Sequence, residues 1–155
     1  MLEIVLVSGH RSLDGQPIWR EAVHDTLVEI KDAIRWRSNA RMLVVSGAAA
    51  GPDSWGLEWA AERHLRGVLG MAWPVSWQDA TGGYDRHAAF QRDRAMVAYI
   101  AGMATRADVY AHGLFVTHLS PQDMNNPRQS TGTAKTWRYW HELVTPDSDT
   151  RTVQP

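Results

Sequence analysis

Four short apolar runs alternate with helical periods along this chain, and that alternation leaves few folds open. The runs are Leu2–Val7, Arg41–Ser46, Val68–Val75 and Asp108–Val116. Nearly continuous apolar character over so few residues is the mark of a strand buried on both faces. From Ile18 to about Trp36, the residues Ile18, Ala22, Val23, Leu27, Ile30, Ala33 and Ile34 recur at three- and four-residue spacing. That spacing predicts an amphipathic helix laid on a sheet. Helices are expected again from Ser54 to about Arg66, from Arg86 to about Met103, and from Ser130–Thr133 to about Leu143. Alternation of this kind predicts a three-layer α/β sandwich, its sheet mostly parallel with roughly four to six strands and helices on both faces. One domain is expected over residues 1–145, with 146–155 a tail or a short edge strand at Thr150–Val153.

Parallel strands place every strand-to-helix turn at one edge of the sheet, where open α/β folds hold ligands. Three such turns are small and polar. Ser8-Gly9-His10-Arg11 ends the first run, and the planar fork of Arg11 suits two-point contact with phosphate or carboxylate. His10 is read as a hydrogen-bonded turn residue or an acid/base. Ser46-Gly47-Ala48-Ala49-Ala50-Gly51-Pro52-Asp53 ends the second run. Gly47 and Gly51 permit angles and close approaches that a side chain blocks, and Asp53 sits where an N-cap belongs. This loop is neither GxGxxG nor a P-loop. Ser130-Thr131-Gly132-Thr133 opens the last helix, where hydroxyls and free N–H groups suit phosphate oxygens.

Two other stretches carry candidates. The loop Ser76–Asp85 is long enough to fold over a site, and its Trp77 and Tyr84 either stack on a base or pack the loop onto the domain. Arg86, Arg92 and Arg94 crowd the first half of a helix, where cations oppose the dipole. One arginine turned into a pocket, or ordinary surface pairing, accounts for that. Trp55 and Trp59, four apart, are read as core or a subunit contact.

Composition removes several classes. At 155 residues the chain is long enough for a real core. A net charge of −1 argues against a nucleic-acid partner held by bulk charge. The absence of cysteine excludes disulfides, thiolate catalysis and cysteine-based zinc sites, and is compatible with a cytoplasmic location. The start of the chain lacks a basic region ahead of its apolar run, and no stretch reaches the ~20 apolar residues of a membrane span. The seven histidines show no HxxxH or HExxH spacing, so neither a metal nor a cofactor is expected. Eight tryptophans, if they made an apolar exterior, would suit a homo-oligomer, dimer or tetramer.

The turn Ser8–Arg11, the block Ser46–Trp55, the segment Arg92-Asp93-Arg94-Ala95-Met96-Val97 and the stretch Gly132-Thr133-Ala134-Lys135-Thr136-Trp137-Arg138-Tyr139 together resemble the SLOG superfamily, nearest its YspA/YpsA-like branch. That branch shows a Gly-Ser-Arg or Gly-His-Arg turn, a Gly-x-x-x-Gly-x-Asp loop, an Arg-Asn-x-x-Met helix and a late Gly-Thr. The resemblance spans roughly residues 2–140. It implies a Rossmann-like domain that binds nucleotides or nucleotide-derived small molecules. Related branches include the LOG enzymes, which cleave the N-glycosidic bond of nucleoside monophosphates, and members linked to nucleotide signals in bacterial and phage conflict. Carried onto this chain, it points to Gly9, Arg11, Gly47, Gly51, Asp53, Arg92, Gly132 and Thr133. Two departures stand out. Asp93 replaces the usual Asn, and no Glu follows Gly132-Thr133 where the LOG enzymes carry their catalytic one.

Three functions are therefore expected in order. The first is binding of a nucleotide-like small molecule, with Gly9, His10, Arg11, Ser46, Gly47, Gly51, Asp53, Trp77, Arg92, Thr131, Gly132 and Thr133 as the binding set. The second is nucleotide N-glycoside hydrolysis with Asp53 and Asp93 as its carboxylates. The third is single-stranded nucleic-acid binding through Arg86, Arg92, Arg94 and Arg128.

Overall fold

A computed structural model describes residues 1–35, 39–145 and 148–155. Five strands, β1 (Leu2–Gly9), β2 (Arg41–Ser46), β3 (Val68–Ala72), β4 (Val109–Val116) and β5 (Asp149–Val153), form one sheet in the order β3-β2-β1-β4-β5. Every pairing is parallel. The helices are α1 (Pro17–Ile34), α2 (Pro52–Ala61), α3 (Ala88–Ala104), α4 (Pro121–Asn125) and α5 (Gly132–Leu143).

Two cores sandwich the sheet. On one face Val5, Val7, Met42, Val44, Leu114 and Val116 meet Val23, Leu27, Ile30 and Ile34 of α1 and Trp55, Trp59 and Ala60 of α2. On the other, Ile4, Leu6, Val45 and Phe115 meet Met96, Val97 and Ile100 of α3 and Trp137 and Trp140 of α5. β1 sits at the centre, so Ile4 through Val7 are fully buried. This is the three-layer α/β architecture the alternation predicts.

The differences are local. The helix expected from Ser54 begins at Pro52 and ends at Ala61, and a separate 3₁₀ turn covers His64–Arg66. Its N-cap is Gly51, with φ 86°, and not Asp53. Proline favours the first helical position, so Pro52 starts the helix and moves Asp53 inside its first turn. The third strand stops at Ala72, short of Pro74. The stretch His118–Gln129, read as loop, holds α4, closed by a capping box between Ser120 and Asp123. The first helix ends at Ile34, and Trp36 lies outside the described residues. The Thr150–Val153 edge strand is present as β5, paired with β4. Of the eight tryptophans, Trp55, Trp59, Trp137 and Trp140 are core, whereas Trp77 is exposed. No helix among the described residues is long and apolar enough to cross a membrane.

Candidate functional site

The strand order reverses at β1. The chain steps from β1 out to β2 and β3, then crosses back to β4 on the other side. At such a reversal the turns after the two central strands diverge and leave a crevice beyond their C-terminal ends. A cavity of about 310 Å³ lies there. Its walls come from four separate stretches: Ser8–Ser12 after β1, Ala49 and Asp53 at the start of α2, one face of α3, and Thr131–Thr133 at the start of α5. On α3 the lining residues are Ala89, Phe90, Arg92, Asp93 and Met96, the three- and four-residue spacing of a single helical stripe. Arg11, Asp53 and Thr133, more than a hundred residues apart at the extremes, thus share one cavity.

The backbone accounts for the approach of these elements. A Cβ at Gly9 would lie 2.5 Å from Pro52 and 2.8 Å from Val116, so only glycine lets the end of β1 pass between α2 and β4. Gly51 supports the β1–α1 turn from beneath, close to the carbonyls of His10 and Arg11. Ser46 is fully buried, and its hydroxyl donates to the Asp53 carbonyl at 2.8 Å and accepts from the Ala48 amide. Ser46 and Gly51 shape the loop and line neither this cavity nor the smaller one beside it.

Arg92 is the arginine turned inward. One guanidinium nitrogen donates to the Gly47 carbonyl and, at 2.6 Å, to that of Trp73. Its Nε donates to Asp93 Oδ1 at 2.7 Å. A Cβ at Gly47 would lie 2.5 Å from the guanidinium carbon, so glycine there is required by the arginine packed on it. Arg92 therefore acts first as a clamp on the β2–α2 loop and the end of β3. Arg138 does the same for the loop before α5, donating to the carbonyls of Met124, Asn126 and Gln129 at 2.8–3.1 Å. The sequence assigns Arg138 no role of its own; its contacts are with the end of α4 and the loop that follows it.

Two carboxyls face the cavity. Asp53 is 8% exposed, and its Oδ1 accepts from the Gly9 amide at 3.3 Å. Burial, opposed by Arg92, assisted by Asp93 and opposed again by the amides of Gly9 and Ala49, leaves its pKa pushed up to about 7. Burial also raises the pKa of Asp93, opposed by Arg92. Asp93 stands over the start of α5: its Oδ2 lies 3.8 Å from where a Cβ on Gly132 would sit. His10 bonds Thr117 Oγ1 through Nε2 at 2.7 Å and lies 5.2 Å from the His118 ring. Burial, then His118, lowers its pKa and keeps it neutral at pH 7.

Several donors around the cavity are left over. Thr131 caps α5 through the Ala134 amide at 3.3 Å. The amides of Gly132 and Thr133 have no acceptor among the described residues, and the exposed Arg11 makes no ion pair there. Gly47 and Trp77 line the smaller adjoining cavity, which shares Arg11, Ala49, Ala89 and Arg92 with the larger. Trp77 and Tyr84 stack on each other, centroids 5.8 Å apart, so Trp77 offers one face only. Phe90, which the sequence reading missed, joins the lining with Lys135 Nζ 3.4 Å over its ring. The period of α3 could have found it, since Phe90 stands three residues before Asp93.

Of the arginines considered for nucleic acid, Arg92 is taken up by carbonyls and Asp93, and Arg94 pairs with Glu142 at 3.1 Å. No group of three or more His, Asp or Glu among the described residues is placed to hold a metal ion. No protein-family model, curated protein or solved structure matches this chain.

Proposed function

We propose that the cavity at the C-terminal ends of β1 and β4 binds a nucleotide or nucleotide-derived small molecule, a nucleoside phosphate or an ADP-ribose-like compound, and that the protein senses or sequesters it. The observation that carries this reading is the convergence of unused donors on one cavity. The Gly132 and Thr133 amides open α5, whose dipole favours an anion, and Arg11 stands at the rim with its guanidinium unpaired among the described residues. A cavity of about 310 Å³ is at the lower end of small-molecule sites. The smaller one beneath Trp77 extends it and offers an indole face to a base. The SLOG resemblance supports the same ligand class, because its motifs supply Gly9, Arg11, Asp53, Gly132 and Thr133. Calorimetry against nucleoside mono-, di- and triphosphates and ADP-ribose tests it. Binding at micromolar Kd or tighter is expected from at least one, and no heat from any overturns the reading.

A second reading has its own support, the acid of Asp53. A carboxyl near pKa 7 is partly protonated at neutral pH and suits proton transfer. In nucleotide N-glycoside hydrolysis the C1′–N bond breaks, the Asp53 proton passes to the departing base, and the Asp93 carboxylate faces the oxocarbenium-like ribosyl group. Water then adds at C1′ and returns a proton to Asp53. Base release from a nucleoside monophosphate, lost in Asp53→Asn with the fold intact, would establish it. Binding without release leaves the sensor reading.

A further inference from the structure

We propose that two copies of this chain pair antiparallel through the outer edge of β3, joining their sheets into one. The two edges of the sheet differ. β5 is charged: Arg151 bonds Asp149 at 2.8 Å and reaches Glu29 of α1 at 3.4 Å. β3 reads Val68-Leu69-Gly70-Met71-Ala72, without charge, proline or bulge. Edges of monomeric proteins carry such devices because a bare edge templates pairing with another chain. Leu69 is 57% exposed and Leu65, on the turn before it, 89%.

The hydrogen-bonding groups select the partner. The Gly67 carbonyl and the Trp73 amide both bond inward to β2, at 3.0 and 2.8 Å. With the period of a strand, the inward groups belong to odd residues. The outward N–H and C=O groups are therefore those of Val68, Gly70 and Ala72. In an antiparallel pair, directly opposed residues with outward groups exchange both bonds. A two-fold axis at Gly70 sets Gly70 against Gly70 and Val68 against Ala72 of the second copy, so every outward group finds a partner. The same register sets Leu69 against Met71 at the closer, non-bonded positions, apolar on apolar. On the opposite face Gly70 has no side chain to displace Leu57, which already covers it: a Cβ there would lie 3.3 Å from Leu57.

Charge agrees with this direction. No charged residue occurs between Arg66 and Asp79. Arg66 stands at one end of the uncharged stretch and Asp79 at the other, Arg63 behind the first being paired with Glu62 at 3.0 Å. Antiparallel pairing brings the basic end of one copy toward the acidic end of the other, whereas parallel pairing sets like ends together.

Sedimentation velocity across the micromolar range tests the pairing, and Leu69→Glu sharpens it. Leu69 is exposed and its backbone groups face β2, so the variant should keep the wild-type circular dichroism and, at concentrations where both are monomeric, the wild-type melting curve. The expected result is a concentration-dependent dimer for the wild type and at least a tenfold weaker one for Leu69→Glu. The chain has no cysteine, so crosslinking reads the register directly. Leu69→Cys and Met71→Cys proteins should form a disulfide when mixed and oxidised, and little when oxidised separately. A monomer at every concentration, a dimer that Leu69→Glu leaves intact, or an absence of mixed disulfide overturns the proposal. So does a mixed disulfide no more abundant than the separate ones.

Discussion

The two ends of β1 each carry a buried acid, and the acids are used in opposite ways. At the start, Glu3 is fully buried and bonds His112 Nε2 at 2.7 Å. The other ring nitrogen of His112 faces Asp149 Oδ2 at 3.2 Å, and Arg151 continues the chain to Glu29. His112 and Asp149 are register partners, and Glu3 stands two residues before Val5, the partner of His112 on β1, so the cluster crosses β1, β4 and β5 and ties the edge strand to the centre. Both ring nitrogens of His112 are thus engaged by acidic side chains of its neighbouring strands. At the other end, past Gly9, Asp53 and Asp93 border open space beside two amides and an arginine that have no partner among the described residues. Buried charge by itself therefore does not mark a site. What separates the two ends is whether polar atoms are left to reach something outside the protein.

The comparison is broken most directly at the closed end. His112→Ala removes a partner from two carboxylates, one of them fully buried. Stability should fall by about 3 kcal/mol, the upper range of the cost of leaving a buried polar group without its partner. Nucleotide affinity should not change, because the cluster lies at the far end of the sheet. Urea denaturation and calorimetry check both halves. Unchanged stability would mean that the cluster is not a structural tie.

At the open end the largest effect is a matter of pH. The Asp53 carboxyl has a pKa of about 7 in the folded protein, against an ordinary value of 3.8. The folded state therefore holds the proton more tightly than the unfolded chain. The resulting stability is fully present below about pH 4 and is lost as pH rises to about 7. Asp53→Asn keeps an acceptor for the Gly9 amide and removes the titration. Linkage sets an upper bound of about 4 kcal/mol, and about half of that is expected, since Arg92 relaxes toward the charge. The variant should match the wild type at pH 4, gain on it up to pH 7, and hold a constant lead above that. Parallel curves across this range would show that Asp53 titrates normally. Arg92→Lys should follow at roughly 1.5 kcal/mol, because an ammonium cannot bridge the Gly47 and Trp73 carbonyls and Asp93 together. Its effect should also loosen nucleotide binding, as the clamped loop carries Ala49 and Asp53.

Much of the open end was legible in the sequence, and for a definite reason. Strand–turn–helix alternation sets every such turn on one rim, so Ser8–Arg11, Asp53 and Thr131–Thr133 could be placed together without coordinates. What local patterns cannot supply is the use to which a polar atom is put. Ser46 stood in the right loop, yet its hydroxyl is consumed by its own turn. Asp53 looked like an N-cap because it precedes a helical period, but Pro52 starts the helix and turns the carboxyl to the cavity. Arg92 was expected to meet the ligand; it lines both cavities, and its guanidinium also holds two carbonyls distant in sequence. The closed end was not legible at all. Glu3, His112 and Asp149 are separated by more than a hundred residues at the extremes, and only the β1-β4-β5 order makes them neighbours.

The smallest effect on stability belongs to Arg11, and it separates the two ends most sharply. Arg11 is exposed and bonds no acid among the described residues, although it lines both cavities. Arg11→Ala should therefore leave stability within about 0.5 kcal/mol of wild type, as surface replacements do. If the unused donors of the rim await an anion, the same change removes a charge-assisted contact worth about 1.5–3 kcal/mol, a ten- to hundredfold weakening of nucleotide binding. Arg11→Lys keeps the charge without the planar fork and should recover part of it. Equal affinity in wild type and Arg11→Ala would place the anion elsewhere. A large loss of stability would mean that Arg11, like His112, is a structural tie, and the distinction between the two ends of β1 would no longer hold.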